Sequence, residues 1–353
     1  MRKIKGLLLF LALPFFLISC RASLYKETHL SMSTLLTVLV SGTAEPDWRE
    51  LYSRIENEAA LFDHRLTGSP LKELNEGGSP ELPVKLVKVL RLAMKIAEQS
   101  DGAFDPTILP LISLWNFDSG GELPHEEEIL AARNMVDYRR VKIDAQGAVE
   151  LPPGWGFDLG GIAKGAVVDQ IADYLKEEGY EDFLIDAGGD ILVSGLKRGK
   201  EPWSIGIRHP RSRDKLIGFL HLGRAGETRA VVTSGDYERY FEYGGKRYHH
   251  ILDPSSGYPA DNSIAVTVIA PTCARADALA TAAFVLGPDQ GLELLEGLPG
   301  VEGMVIAEGM SGSREYLMHT TSAFPLSIEE MKRAVEELDL AAEEPGPAGG
   351  KTD

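Results

Sequence analysis

Phe157-Asp158-Leu159-Gly160-Gly161-Ile162-Ala163-Lys164-Gly165 sets one carboxylate, three glycines and a lysine directly before an amphipathic stretch. From Ala166 to Lys176 the apolar residues Val167, Val168, Ile171 and Leu175 recur at the spacing of a helix with one buried face. The run therefore ends at a helix N-terminus, where free N–H groups and the positive end of the dipole meet the charge of Lys164. That combination suits a phosphate or diphosphate. Gly160 and Gly161 allow close backbone approach or a positive φ. The same residues also read as a tight strand–helix turn whose glycines are only geometric.

Outward from this run, Leu35 to Val40 reads as a first strand, and residues 45–64 and Val84 to Gln99 as amphipathic helices. Leu66 to Pro83 is rich in Gly, Ser, Pro and Asn and reads as loop. Residues 125–135 form a short acidic helix, and Val141 to Leu151 a hairpin turning near Gly147. Asp182 to Gly195 reads as a strand carrying Asp186-Ala187-Gly188-Gly189-Asp190. Further strands fall at Trp203–Ile207, Leu216–Leu222, Ala230–Thr233 and Ile264–Ala270, and helices at Cys273–Leu286 and Asp289–Leu295. Ser327-Ile328-Glu329-Glu330 has the pattern of a capping box opening a last helix. Trp115 is either plain packing or the wall of a flat-ring site. There is no internal repeat and no convincing linker, so one mixed α/β domain fits better than two.

The chain has 353 residues, 44% hydrophobic and 25% charged, which suffices for a sizeable core. A formal net charge of −17 argues against a nucleic-acid surface, and means that a polyanionic ligand needs a local basic pocket or a metal. Arg2, Lys3 and Lys5 precede an apolar run, Leu7 to Ile18, that is short for a bilayer span. Leu17-Ile18-Ser19-Cys20 resembles a lipobox, which makes residues 1–19 a signal peptide and Cys20 a lipidated first residue. The remaining cysteine, Cys273, excludes a disulfide framework or a cysteine metal site and reads as a small buried residue.

Asp277 and Thr281 stand i, i+4 on one helix face, a spacing that offers two hard oxygens to Mg²⁺. Asp277 equally serves as a first-turn charge facing the helix dipole. Small residues surround the pair (Ala274, Ala276, Ala278, Ala280, Ala282, Ala283), so other backbone can come close. His249-His250, beside the turn Asp253-Pro254-Ser255-Ser256-Gly257, offers a general base near neutral pH or a histidine tied to a carbonyl. H-E-x-x-H, G-x-S-x-G and G-x-G-x-x-G are absent, which removes support for zinc-protease, serine-hydrolase and Rossmann readings.

Six runs occur in one order: Asp101-Gly102-Ala103-Phe104-Asp105-Pro106-Thr107, Asp158 to Gly165, Asp186 to Asp190, Thr233-Ser234-Gly235-Asp236-Tyr237, Tyr248-His249-His250-Ile251-Leu252-Asp253-Pro254, and Ala276 to Ala282. Together they resemble the ApbE family of FAD:protein FMN transferases over roughly residues 30 to 320. The resemblance implies an α+β, T-fold-like domain, a largely antiparallel sheet with packed helices. It divides the chain into a signal peptide (1–19), a tether (20–29), the transferase domain (30–325), a C-terminal helix (326–340) and a disordered tail (341–353). It implies flavin-nucleotide contacts at Met32, Ala103, Phe104, Asp105, Asp158, Lys164, Gly188, Gly189 and His250, with Ser33 standing where the family usually has glycine. It further implies Mg²⁺ ligands at the Ala163 carbonyl, Asp277 and Thr281, and His250 as the base. The expected reaction moves FMN from FAD to a Thr or Ser of an exported flavoprotein and releases AMP. The expected setting is the bacterial cell envelope, lipid-anchored on the periplasmic face of the inner membrane. A FAD pyrophosphatase and a non-catalytic FAD-binding lipoprotein are the alternatives.

Overall fold

The computed structural model describes residues 22–78, 81–309 and 316–326. The signal segment, Cys20, the capping box at Ser327 and the tail lie outside the described residues. The strands are β1 (Ser23–Ser31), β2 (Thr34–Gly42), β3 (Lys142–Ile143), β4 (Val149–Glu150), β5 (Asp182–Ala187), β6 (Asp190–Ser194) and β7 (Trp203–His209). They continue as β8 (Ser212–Leu222), β9 (Thr228–Gly235), β10 (Tyr240–Tyr243), β11 (Lys246–His249), β12 (Ala265–Ala270), β13 (Glu302–Glu308) and β14 (Tyr316–Thr320). The helices are α1 (Trp48–Phe62), α2 (Pro70–Asn75), α3 (Val84–Gln99), α4 (Leu109–Trp115), α5 (Glu126–Arg133), α6 (Ala163–Glu177) and α7 (Cys273–Glu296). Among the described residues no helix is long and apolar enough to cross a membrane.

An eight-stranded sheet in the order β1-β2-β5-β6-β9-β12-β13-β14 carries the domain, and all its neighbours pair antiparallel. Strand alternation sends successive side chains to opposite faces. Leu36, Val38 and Val40 of β2, Phe183 and Ile185 of β5 and Val266 and Val268 of β12 join the core under α1, α3, α6 and α7. Val193, Val231, Ala265, Ile269, Met304 and Ile306 face the other way, where the β7–β8 ribbon covers them with Trp203, Ile205, Ile207 and Leu220. Because both faces are covered, every residue of β12 is buried, which explains why this strand is apolar without alternation except at Thr267, whose hydroxyl meets that of Thr233 at 2.9 Å. Each such fully buried aliphatic side chain contributes about 1.5–3 kcal/mol of transfer free energy. A smaller cluster joins α4 and α5 to the loop after β11 through Leu111, Trp115, Ile129 and Leu252. The α+β class and the antiparallel sheet are thus as the sequence implies.

Three segments differ from the sequence reading. Residues 20–29, expected as a tether, supply most of β1, which pairs with β2 from Ser23↔Gly42 to Ser31↔Thr34. This is an edge strand whose side chains are mostly exposed, so it lacks the apolar alternation that marks a strand. Inside the expected 66–83 loop, α2 is started by Ser69, whose hydroxyl accepts from Lys72 N at 3.2 Å, with Pro70 in the first turn. The expected single strand 182–195 is a hairpin, β5–β6, turned by Gly188 (φ 65°) and Gly189 (φ 100°). The break between the two expected helices after Cys273 is real: α7 kinks at Gly287 (φ 80°, ψ −173°), just before Pro288.

Candidate active site

The loop into α6 is clamped before it reaches the helix. Asn75 holds Phe157 from both sides, donating Nδ2–H to its carbonyl at 2.9 Å and accepting its N–H at 2.8 Å. The next N–H, from Asp158, goes to Pro106 O at 2.9 Å, which ties the loop to the 101–107 segment. Gly160 and Gly161 are not among the positive-φ residues, so close approach is what these glycines supply. A Cβ on Gly161 would stand 3.1 Å from Thr281 Oγ1 and 3.3 Å from the Phe104 ring. The bare backbone there brings two expected site residues, Phe104 and Thr281, against the loop.

The crossing of α6 and α7 sets the rest. At Gly165 a Cβ would lie 2.5 Å from Cys273 O, so the helices touch backbone to backbone. Across that contact Gly165 N–H donates to Asp277 Oδ2 at 3.2 Å, while Asp169 of α6 accepts Cys273 N–H at 2.7 Å and Ala274 N–H at 2.9 Å. Burial, and then the neighbouring Asp190 carboxylate, push the Asp277 carboxyl well above its usual range. One residue before Gly165, Lys164 Nζ donates to Asp190 Oδ1 at 2.6 Å. Burial lowers the Lys164 pKa, but the charges of Asp190 and Asp277 outweigh it and hold the ammonium above its ordinary value. Ala163, expected to lend a carbonyl, is the first residue of α6. Among the described residues no group of three or more His, Cys, Asp or Glu side chains forms a metal cluster. A carboxylate, a hydroxyl and a main-chain carbonyl are instead the sparse hard-oxygen set with which Mg²⁺ is held when water and phosphate fill its other positions. The buried Asp190 Oδ2 receives no hydrogen bond unless Asp277 is protonated, and such a pair of acids fits a nearby cation.

The two histidines separate in role. His249 is 5% exposed, and its ring is used up: Ile251 N–H donates to Nδ1 at 3.3 Å and Nε2 reaches Ala260 O at 2.8 Å. His250 is half-buried, and its Nδ1 and main-chain N–H both reach Arg239 O, at 3.2 and 3.0 Å. Nδ1 therefore carries the proton and Nε2 keeps a lone pair. Burial first, then the Arg239 charge, push the His250 pKa down to about 3, which keeps the ring neutral. Arg239 also acts on Asp158, whose Oδ1 accepts Gly160 N–H at 2.8 Å and whose Oδ2 lies 3.1 Å from His64 Nε2. Burial pushes Asp158 up, yet His64, Gly160 N–H and Arg239 together hold it below its usual value.

The remaining expected residues are used in different ways. Met32 (φ 50°) and Ser33 (φ 60°) form the left-handed turn between β1 and β2. A Cβ on Gly188 would lie 2.1 Å from Thr34 Oγ1, so this turn abuts the Gly188-Gly189 turn that leads into Asp190. Ser33 takes a positive φ without being glycine, which gives the physical reason for a glycine preference at that place. Ala103 lines a cavity of about 620 Å³ with Gly102, Asn262, Val285 and Leu286. Asp105 is 6% exposed, and its oxygens accept Thr107 N–H, Thr107 Oγ1–H and Tyr138 N–H, so it braces its segment and offers no free carboxylate. Trp115 is fully buried and donates to Gly257 O at 3.0 Å, which settles it as packing. Cys273 is buried and its thiol is held up by burial. Asp190, Arg239, His64 and Asp169 were not among the expected site residues. Asp190 closes the quoted Gly188-Gly189-Asp190 run, whereas nothing local in the sequence marks the other three.

Known proteins share this sequence pattern and fold. The ApbE family profile matches residues 28–305. The FAD:protein FMN transferase of Treponema pallidum is 34% identical over 308 residues, 80% of this chain and 84% of that protein. The FAD:protein FMN transferase of Vibrio cholerae is 30% identical over 85% of this chain and 93% of its own. Among solved structures, the ApbE protein of Thermotoga maritima superposes with a TM-score of 0.76 at 32% identity, covering 86% of this chain and all but a little (98%) of that one. The flavin transferase ApbE from Vibrio cholerae gives 0.74 at 28% identity, over 86% and 98%. The chain belongs to the ApbE family and is, with these relatives, an enzyme of the transferase class.

Proposed function

We propose that the chain transfers FMN from FAD to a threonine or serine of an acceptor flavoprotein and releases AMP. The observation that carries this reading is the convergence of the loop and first turn of α6 with α7: Gly165 N–H meets Asp277, Gly161 lies against Thr281, and Lys164 between them is held by Asp190. The start of α6 and the Lys164 ammonium bind and orient a diphosphate. The acceptor hydroxyl attacks the FMN-side phosphorus, a new O–P bond forms, and the bond to the AMP oxygen breaks. His250 Nε2, left with a lone pair by the Arg239 carbonyl, takes the hydroxyl proton, a contribution of about 10²–10⁴-fold. Asp277, Thr281 and the Ala163 carbonyl would hold Mg²⁺, which when bound neutralises charge on the diphosphate. The clamped loop and the Asp169 cap keep these groups from drifting apart.

Export and anchoring follow from the N-terminal segment. Residues 1–19 direct the chain across the inner membrane, and Cys20 carries lipid that holds the domain on the periplasmic face, where exported flavoproteins are its acceptors. Palmitate labelling that persists in Cys20→Ala would remove the anchor from this reading. For the activity, the chain is mixed with FAD, Mg²⁺ and an exported flavoprotein domain. A fluorescent flavin band that survives SDS electrophoresis, with stoichiometric AMP, is expected. AMP and free FMN without a band from several acceptors would select hydrolysis, and bound FAD without AMP would select storage.

A further inference from the structure

Asp190 stands at the first position of β6, directly after the Gly188-Gly189 turn, and is 2% exposed. Its Oδ1 receives Lys164 Nζ at 2.6 Å; its Oδ2 is equally buried and receives no hydrogen bond while both acids are ionised, and the Asp277 carboxyl is close enough to hydrogen-bond to Asp190 when it carries a proton. On the next residue of α6, Gly165 N–H is taken by Asp277 Oδ2 at 3.2 Å. Two buried carboxylates thus flank consecutive residues of the first turn of α6, with one ammonium between them. With one ammonium for two acids, the second charge is relieved either by a proton on Asp277, whose carboxyl burial and Asp190 push well above its usual range, or by a cation. When a cation displaces that proton, Asp190 Oδ2 is left needing a donor that the protein does not itself supply. Asp190 is also the largest single charge acting on Asp277.

We propose that Asp190 is the positioning residue of the cation site: Oδ1 anchors Lys164 beside the diphosphate, and Oδ2 accepts from a water bound to the divalent cation held by Asp277 and Thr281. The inference rests on the proposed cation site and deepens it. While Asp190 holds it, Lys164 is kept on the diphosphate and off the Asp277 and Thr281 oxygens, and Asp190 would reach the cation only through water. An outer carboxylate of this kind is worth about 10–100-fold in metal affinity.

The test is titration of the full chain with Mn²⁺ alone, followed by electron paramagnetic resonance of the free ion, with melting curves to establish that each variant folds. Asp190→Asn should weaken Mn²⁺ by about 10–100-fold, Asp190→Glu should recover part of the loss, and Lys164→Met should bind Mn²⁺ no more weakly than the parent. Asp277→Asn reports on the site itself. If Asp277→Asn weakens Mn²⁺ while Asp190→Asn binds within about twofold, well short of an outer-ligand loss, Asp190 has no part in the cation site although the site is real. A parent chain that binds no Mn²⁺, or an Asp277→Asn variant that binds like it, overturns the cation site first and this inference with it. If Asp190→Asn alone does not fold, the double variant K164M/D190N, compared with K164M, gives the same reading without stranding a buried lysine.

Discussion

Gly165→Ala isolates the step on which the site depends. The glycine sits in the first turn of α6, where alanine is the better helix former by about 0.8–1 kcal/mol, so local propensity favours the change. Tertiary contact opposes it. The new Cβ would stand 2.5 Å from Cys273 O, 2.6 Å from Cys273 C and 2.6 Å from Ala274 N, all main-chain atoms of α7. None of these can rotate away, so α6 and α7 must part by about 1 Å to reach ordinary contact at about 3.5 Å. Overpacking of that kind costs about 1–3 kcal/mol, which exceeds the propensity gain at its upper end and roughly cancels it at the lower. The net effect on melting is therefore small, a fall of at most about 8 °C.

The effect on turnover is not small. The same movement stretches the 3.2 Å bond from Gly165 N to Asp277 past a hydrogen bond and draws Lys164 and the loop away from Thr281. A misplacement near 1 Å costs about 10²-fold in rate. Measured as AMP release from FAD and as flavin bound to acceptor, kcat should fall by about that factor while far-ultraviolet circular dichroism is unchanged. A G165A chain that turns over within about twofold of the parent would show that the helix contact does not set the site.

Asp277→Ala should abolish the dependence of turnover on Mg²⁺ and most of the turnover itself. It should melt no lower than the parent, because a carboxyl that burial already disfavours as an anion is removed. Unchanged activity would refute the ligand assignment. His250→Ala should bind FAD and lose about 10²–10⁴-fold in transfer; retained transfer would eliminate it as the base. Its pH behaviour has a fixed sign: with the folded-state pKa lowered from 6.5 to about 3, the ring is neutral and able to accept a proton throughout the neutral range. Its contribution to stability is present above pH 6.5 and lost as pH falls toward 3, because the unfolded chain binds that proton first. A transfer rate whose acid limb has its midpoint near 6.5, and loses that limb in His250→Ala, would contradict this. Gly188→Ala forces a Cβ to 2.1 Å from Thr34 Oγ1 at φ 65°, so the Met32 turn and the Asp190 turn should separate. FAD affinity should fall before stability does, and equal FAD affinity would show that the two turns act independently.

What the sequence made legible, and what it hid, divides along the range of the interaction that decides each feature. Helix α3 runs over the very residues whose apolar spacing marks it, because one amphipathic face against one core needs only local information. Edge strand β1 has the sequence of a tether because its partner, not its composition, makes it a strand. The same holds inside the site. Asp277 and Thr281 were visible because they share one helix face, whereas Asp190 becomes part of the site only when hairpin β5–β6 delivers it to Lys164, 26 residues away in the chain. Arg239 and His64 carry no local signature at all, since each matters through a contact with a residue that another element supplies. Gly165 shows how a tertiary cause can still leave a trace. It stands where helix propensity argues for alanine, and the cost of that choice has meaning only if another backbone lies against it. A glycine placed against its local preference, opposite a helix of closely spaced alanines, is therefore a contact read from two sequences that never mention each other. The proposed site it joins, with Ala163 and Lys164 on one side and Asp277 and Thr281 on the other, depends on that contact and would come apart at a wider helix spacing.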